Sequence, residues 1–263
     1  MPESIQLMAV FYLPVGKEEE VFRHAWGCQL PLMVKGPTGC GKTRFVEHMS
    51  EVLRLPLITV ACNEDTSATD LLGRHLLIGG ETRWVDGPVT RAVRQGCLLY
   101  LDEIAEARPD ALVVIHSLTD HRRELFLDRT AEIVKAPGSF MLVVSYNPGY
   151  QRSLREMKPS TRQRFIALDF NYPTEELETE IVARETCAER SVARRLVQIG
   201  RKVRHLTELS VVESVSTRLL VSAGKLIHAG VPPRLACLTA IAEPLTDDAD
   251  ARAAIRQVIE LTI

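Results

Sequence analysis

Over the first two-thirds of the chain, apolar residues gather in short unbroken runs; over the last third they recur at helical spacing. The runs are Leu32–Lys35, Leu57–Val60, Cys97–Leu101, Phe140–Tyr146 and Phe165–Phe170. Short, wholly apolar runs separated by helical or irregular stretches predict a mainly parallel sheet covered on both faces. A helical lead-in, with Val21, Phe22, Ala25 and Trp26 on one side, precedes the first run. After "NYPTEEL" (171–177) the spacing predicts helices over 174–190, 191–203, 208–229, 232–243 and 247–261. Pro173 and Thr174 read as a linker and a helix cap, and Pro232-Pro233 as a helix opening. The pattern therefore predicts an α/β domain over residues 1–172 and a small all-α domain over 173–263. Two strand-like interruptions read as hairpins: 75–85 around Gly79-Gly80, and 124–136 around Asp128-Arg129.

Composition narrows the class. The 263 residues are 46% hydrophobic and 25% charged, an ordinary globular balance with ample length for a core. A net charge of −2 offers no global attraction to nucleic acid or anionic membrane. No apolar run approaches the ~20 residues of a membrane span. The opening "MPESIQLMAVFYLPV" lacks a basic start and a small-residue cleavage site, so it reads as a poor signal peptide. Six scattered cysteines without paired spacing predict free thiols in a reducing compartment, with the cytoplasm as the default. Seven histidines show no metal-ligand spacing.

The candidate chemistry lies where strands end. Gly36-Pro37-Thr38-Gly39-Cys40-Gly41-Lys42-Thr43 matches G-x-x-x-x-G-K-[ST] in full. It follows a strand pattern and precedes a helical one, the context a phosphate-binding loop requires. Its glycines let successive N–H groups face phosphate oxygens, and the helix start adds a positive dipole end. Lys42 is placed to reach β- and γ-phosphates and Thr43 to bind Mg²⁺. "CLLYLDEI" (97–104) ends a strand in Asp102 and Glu103. Asp102 there can hold Mg²⁺ through water, and Glu103 can polarise a water for attack on the γ-phosphate. Asn147, ending "FMLVVSYN", can orient that water, although the local sequence by itself favours an Asn-Pro turn at a strand end. Arg155, Arg162 and Arg164 precede the fifth strand, and Arg218 lies on a helix of the second domain. Each can reach a γ-phosphate or serve as a surface arginine.

Taken together, these residues resemble an AAA+ ATPase: a P-loop αβα sandwich with a five-stranded parallel sheet and hairpin insertions, followed by a helical lid. "DLLGRHLL…TRWVDGPVTRAVRQGCLLYLDE" resembles the MoxR branch. "YLPVG", "LPLMVKGPTGCGKTRFVEHM", "TSATDLLGRHLL", "WVDGPVTRAVRQG" and "NPGYQRSLREMKPSTRQRF" are similar to CbbQ/NirQ/NorQ proteins. The resemblance spans nearly the whole chain and is densest from 12 to 173.

The resemblance implies a hexameric ring that binds ATP and ADP with Mg²⁺ and hydrolyses ATP between subunits. It puts Lys42 and Thr43 in Walker A, Asp102 and Glu103 in Walker B, Asn147 at sensor 1 and Arg218 at sensor 2. Arg164 is the first choice for the arginine finger and Arg162 the second. Trp84 falls on an insert facing the ring axis; Tyr12 and Val15 line an adenine pocket or pack in the core. The implied partner is a von Willebrand factor A domain adaptor of CbbO type. The implied client is Rubisco blocked by an inhibitory sugar phosphate; the alternative is a nitric oxide or nitrite reductase that needs activation or maturation. Other readings stand beside this one: a small-molecule P-loop kinase, a non-catalytic ATP switch and, with no basic aromatic-rich patch to support it, a nucleic-acid remodeller.

Overall fold

A computed structural model describes residues 10–147, 157–207 and 214–263. Two compact units emerge. One joins the chain up to Gly36 with Lys42–Phe170, and the other joins Pro37–Gly41 with Asn171–Ile263.

In chain order the first unit contains α1 (Glu18–Gly27), β1 (Leu32–Lys35), α2 (Lys42–Leu53), β2 (Leu57–Ala61), α3 (Ala68–Leu72), β3 (Gly73–Ile78), β4 (Glu81–Asp86), α4 (Pro88–Gln95), β5 (Leu98–Asp102), α5 (Pro109–His116), β6 (Glu124–Leu127), β7 (Glu132–Lys135), β8 (Met141–Tyr146), α6 (Pro159–Arg162) and β9 (Ile166–Asp169). Five strands form one parallel sheet in the order β2-β5-β8-β1-β9. These are the five apolar runs of the sequence. β8 is buried throughout and β5 up to its last residue, because helices cover both faces. On one face Leu99, Leu101, Leu142 and Val144 pack with Leu71, Val89, Val93 and Ile115. On the other, Phe45 of α2 meets Phe22 edge-on at 5.5 Å and Phe170 at 5.1 Å. With every strand parallel, all five carboxyl ends lie along one edge of the sheet, where ligands of open α/β sheets bind.

Both predicted hairpins form, β3–β4 with its turn at Gly79-Gly80 and β6–β7 with its turn at 128–131. The first is longer than its alternation indicated, since Gly73 pairs with Asp86. Arg94 of α4 joins the two hairpins. Its Nε donates to Asp86 at 2.9 Å, and its two Nη groups grip Glu132 at 2.7 and 2.6 Å. Asp86 also accepts from the Trp84 indole at 2.6 Å.

The second unit adds α7 (Glu175–Thr186), α8 (Arg190–Thr207), α9 (Thr217–His228), α10 (Pro233–Cys237), a π-turn (Leu238–Ala242), α11 (Glu243–Leu245) and α12 (Ala249–Glu260). Thr174, Ser216 and Asp248 cap α7, α9 and α12 by accepting backbone N–H groups. Val182, Leu196, Val203, Leu220, Ile241 and Ile255 form its core. The segment predicted as one helix over 232–243 is segmented instead, with the π-turn between α10 and α11. Pro244 in α11 has no N–H for a helical bond, which accounts for a distortion just ahead of it. Of the predicted 208–229 helix, α9 covers Thr217–His228, while 214–216 are non-helical up to the Ser216 cap and 208–213 lie outside the described residues.

Candidate functional site

The carboxyl edge of the sheet carries the first group of candidate residues. β1 runs into Gly36, whose φ is +148°. A Cβ there would sit 2.2 Å from the Phe170 carbonyl, so only glycine lets the loop leave between β1 and β9. Lys42 opens α2. Its side chain is buried, and Nζ donates to the Gly36 carbonyl at 2.8 Å. The loop is therefore folded back over its own lysine. Thr43 follows in the first turn of α2, where unpaired N–H groups favour anions.

Asp102 ends β5 on the same face as Tyr100, because strand side chains alternate. The register pairs Leu101 with Val144, which brings Ser145 beside Asp102. Two hydroxyls converge on Asp102 Oδ1: Tyr100 donates at 2.7 Å and Ser145 at 2.5 Å. Oδ2 is turned to the Thr43 hydroxyl at 3.5 Å, and Thr43 lies 3.5 Å from the Tyr100 oxygen. No salt bridge reaches Asp102 among the described residues. Among the described residues its charge is thus oriented by neutral dipoles. A threonine hydroxyl and a carboxylate oxygen facing one another form a donor set that fits Mg²⁺, a hard cation that retains waters. The local field is negative: burial first, then the charges of Asp102 and Glu103, pushes the nearby Cys62 thiol up to about 12. Burial and the Asp102 charge likewise raise the Tyr100 phenol, which stays protonated and donating.

Glu103 is exposed and sits in the left-handed region at φ 55°, ψ 42°. A β-strand turning abruptly aside through a non-glycine residue stores strain. Its N–H is held by the Ser145 hydroxyl at 2.7 Å. Asn147, just past β8, donates from Nδ2 to Glu103 Oε1 at 3.2 Å. Asn147 Oδ1 is buried and accepts no hydrogen bond among the described residues. An orphaned buried acceptor beside a carboxylate fits a ligand that brings its own donor, such as a water.

The loop segment 37–41 belongs with the helical unit. Gly39 has φ +68°, and a Cβ on it would meet Ser216 Cβ at 2.5 Å and Arg218 Cβ at 3.4 Å. The loop tip therefore lies against the start of α9, with Arg218 exposed on its second residue. Thr38 accepts from the Tyr172 hydroxyl at 3.1 Å, and the Arg204 guanidinium lies 4.0 Å from the Tyr172 ring centre. Pro37 and Gly41 are partly exposed, and Cys40 is buried.

The remaining sequence candidates are spread more widely. Arg162 ends α6, exposed, and Arg164 follows with Nη1 3.4 Å from the His116 carbonyl. Burial, then the charges of Arg164 and Lys158, lowers the pKa of His116, whose Nε2 lies 3.0 Å from the Thr161 hydroxyl. Arg155 lies outside the described residues. Trp84 folds back onto the core and His75, because Asp86 takes its N–H; toward that hairpin's tip Leu77 and Ile78 face solvent, 76% and 47% exposed. Tyr12 packs against Phe45 and His48, and its hydroxyl donates to Glu18 at 2.7 Å; Val15 is exposed. Sequence reasoning passed over Tyr100 and Ser145, which look like two more members of apolar strands. The available signal was a hydroxyl two residues before Asp102 and another two before Asn147, on the faces those residues occupy.

Comparison with known proteins follows the same division of the chain. Residues 31–165 match the AAA domain of the dynein-related subfamily, and residues 178–262 match the CbbQ/NirQ/NorQ C-terminal family. The denitrification regulatory protein NirQ of Stutzerimonas stutzeri is 54% identical, covering 95% of this chain and 91% of its own. Protein NorQ of Paracoccus denitrificans is 54% identical (95% and 93%), and protein CbbQ of Hydrogenophilus thermoluteolus is 53% identical (94% and 92%). Among solved structures, a RuvB variant from Thermotoga maritima superposes with a TM-score of 0.56 at 15% identity, over 93% of this chain and 70% of its own. A putative ATPase from Cytophaga hutchinsonii gives 0.51 at 13% identity, over 95% and 90%. At such identities the likeness is one of fold.

Proposed function

The chain belongs to the CbbQ/NirQ/NorQ family of AAA+ proteins, and from that premise we propose that it is an ATP-hydrolysing motor subunit. Gly36, Pro37, Thr38, Gly39, Cys40 and Gly41 wrap the β- and γ-phosphates, and Lys42 offers its ammonium to them. Thr43 and Asp102, the latter through water, hold Mg²⁺. The ion supplies charge neutralisation on the phosphate oxygens. Glu103 takes a proton from the attacking water while Asn147 orients it. Arg164, or Arg162 in its place, comes from a neighbouring copy in a hexamer to stabilise transition-state charge, and Arg218 senses the nucleotide. The supporting observation is the hydrogen bond from Asn147 to Glu103, beside the Asp102 carboxylate that neutral hydroxyls hold. That array serves a water nucleophile, which a kinase excludes.

The test is phosphate release from MgATP with no acceptor added. Glu103→Gln should lower it by roughly 10²–10⁴-fold, the scale of general-base catalysis, while nucleotide still binds. Unchanged turnover in that variant, or a strict need for a small-molecule acceptor, would sink the reading.

The motor works with a von Willebrand factor A domain adaptor on a metabolic enzyme. Relatives named for denitrification regulation and one named CbbQ match at the same level. Inhibited Rubisco and a denitrification reductase therefore have equal standing as clients. Adding ATP and adaptor to Rubisco pre-blocked with its sugar bisphosphate separates them. Recovered carboxylation assigns Rubisco; steady turnover without recovery assigns the reductase.

A further inference from the structure

Asp102 is an acid whose two oxygens have been given different tasks. Tyr100 and Ser145, both fully buried, place their hydroxyls on Oδ1 at 2.7 and 2.5 Å. Each hydroxyl has one proton, and each spends it there. Oδ2 is left on the side of Thr43. We propose that Tyr100 and Ser145 are positioning residues that lock the Asp102 carboxylate, so that one oxygen stays turned toward the metal–nucleotide; this rests on the ATPase reading.

Three features of the structure support this. First, burying a phenol in the middle of a parallel sheet is costly unless its hydroxyl finds a partner, and a Phe or Leu would fill the same space without that demand. The hydroxyl therefore has a task, and Asp102 is the acceptor it meets. Second, the Ser145 oxygen is shared. It donates to Asp102 and accepts from the Glu103 N–H at 2.7 Å, so one side chain ties the carboxylate to the strained left-handed residue after it. Third, the partners are neutral. A lysine or arginine here would orient Asp102 equally well but would cancel the charge a cation needs. Groups that orient a metal-bearing carboxylate typically change metal affinity by 10–100-fold when removed.

The experiment measures equilibrium binding of a fluorescent ADP analogue to the full chain, in excess Mg²⁺ and in EDTA. Wild type, Tyr100→Phe, Ser145→Ala and Ser145→Thr are compared. Tyr100→Phe and Ser145→Ala should bind as wild type does in EDTA, within about twofold. Each should lose about tenfold of the tightening that Mg²⁺ confers. Ser145→Thr, which keeps a hydroxyl, should recover most of it. Should Ser145→Ala fail to fold, Tyr100→Phe decides, since it removes one oxygen from an otherwise intact core. Full Mg²⁺ tightening in Tyr100→Phe overturns the proposal and leaves the ATPase reading standing. Absence of any Mg²⁺ effect in the wild type overturns the ATPase reading itself.

Discussion

Asp102 at the sheet edge and Glu178 in the helical unit are both carboxylates ringed by side-chain donors, and they are satisfied in opposite ways. Asp102 receives neutral hydroxyls from Tyr100, Ser145 and, at longer range, Thr43. Glu178, fully buried, is gripped by both arms of Arg204 at 2.6 and 2.8 Å and by the Thr217 hydroxyl at 2.6 Å. Arg204 itself reaches the Val215 carbonyl at 2.7 Å. The difference teaches what each charge is for. Glu178 is neutralised where it stands, in a bidentate pair that fastens α7, α8 and the start of α9. Asp102 is held still by neutral hydroxyls.

The comparison breaks first at Glu178. Glu178→Ala removes both carboxylate oxygens from the Arg204 guanidinium, and breaking such a buried pair costs about 3–5 kcal/mol. Hydrogen exchange should show the amides of α7 and α9 losing protection, with those of β5 and β8 unmoved; equal loss in both units would refute the separation. Asp102→Asn comes next. Its hydroxyl neighbours can still bond an amide oxygen, so the melting temperature should move little. Acceptor-free ATP turnover should fall by about 10²–10³-fold, as when a preorganised electrostatic group is removed. A variant that unfolds without losing specific activity would reverse the assignment.

The smallest effect sharpens the contrast with a third kind of acid. Glu18 is satisfied mainly by neutral N–H groups: Val15 and Gly16 donate to it at 2.6 and 2.7 Å, and Tyr12 adds its hydroxyl. Burial works to raise its pKa, but the Tyr12 and backbone bonds together outweigh it and hold it below its ordinary value of 4.5. A depressed carboxylate stabilises the fold above its unfolded pKa, and that contribution disappears as pH falls through the folded one. Amide exchange at Val15 and Gly16 should therefore quicken below the ordinary carboxylate range, and Glu18→Gln should reproduce the change at neutral pH. Glu18 is only partly buried and solvent screens it, so the loss should stay under about 1 kcal/mol. No change at those two amides would show that the loop is held by Tyr12 packing alone.

Much of this architecture was legible in the chain. The five apolar runs became the five parallel strands because only a doubly covered sheet buries runs without a polar face. Gly79-Gly80 marked a hairpin turn that formed where expected. The Pro244 distortion was missed, since helical periodicity over 232–243 runs unbroken up to it. The packing of Trp84 was not legible, because it depends on Asp86 two residues on, which captures its N–H. In the candidate site, the octamer 36–43 and the Asp102-Glu103 pair stood out because their chemistry is concentrated in adjacent residues. Tyr100 and Ser145 did not, because a hydroxyl inside an apolar strand carries no local sign of its partner.

The sequence alone therefore determined the five strands, both hairpins, the fold class and the glycines at Gly36 and Gly39, since periodicity and backbone freedom are local properties. Only the tertiary structure decided which acid is paired with an arginine and which is held by neutral hydroxyls. Asp102 is 43 residues from Ser145, and Glu178 is 26 from Arg204. Strand register and helix packing bring those atoms within hydrogen-bond reach, and a hydrogen bond depends on position in space, not on distance along the chain.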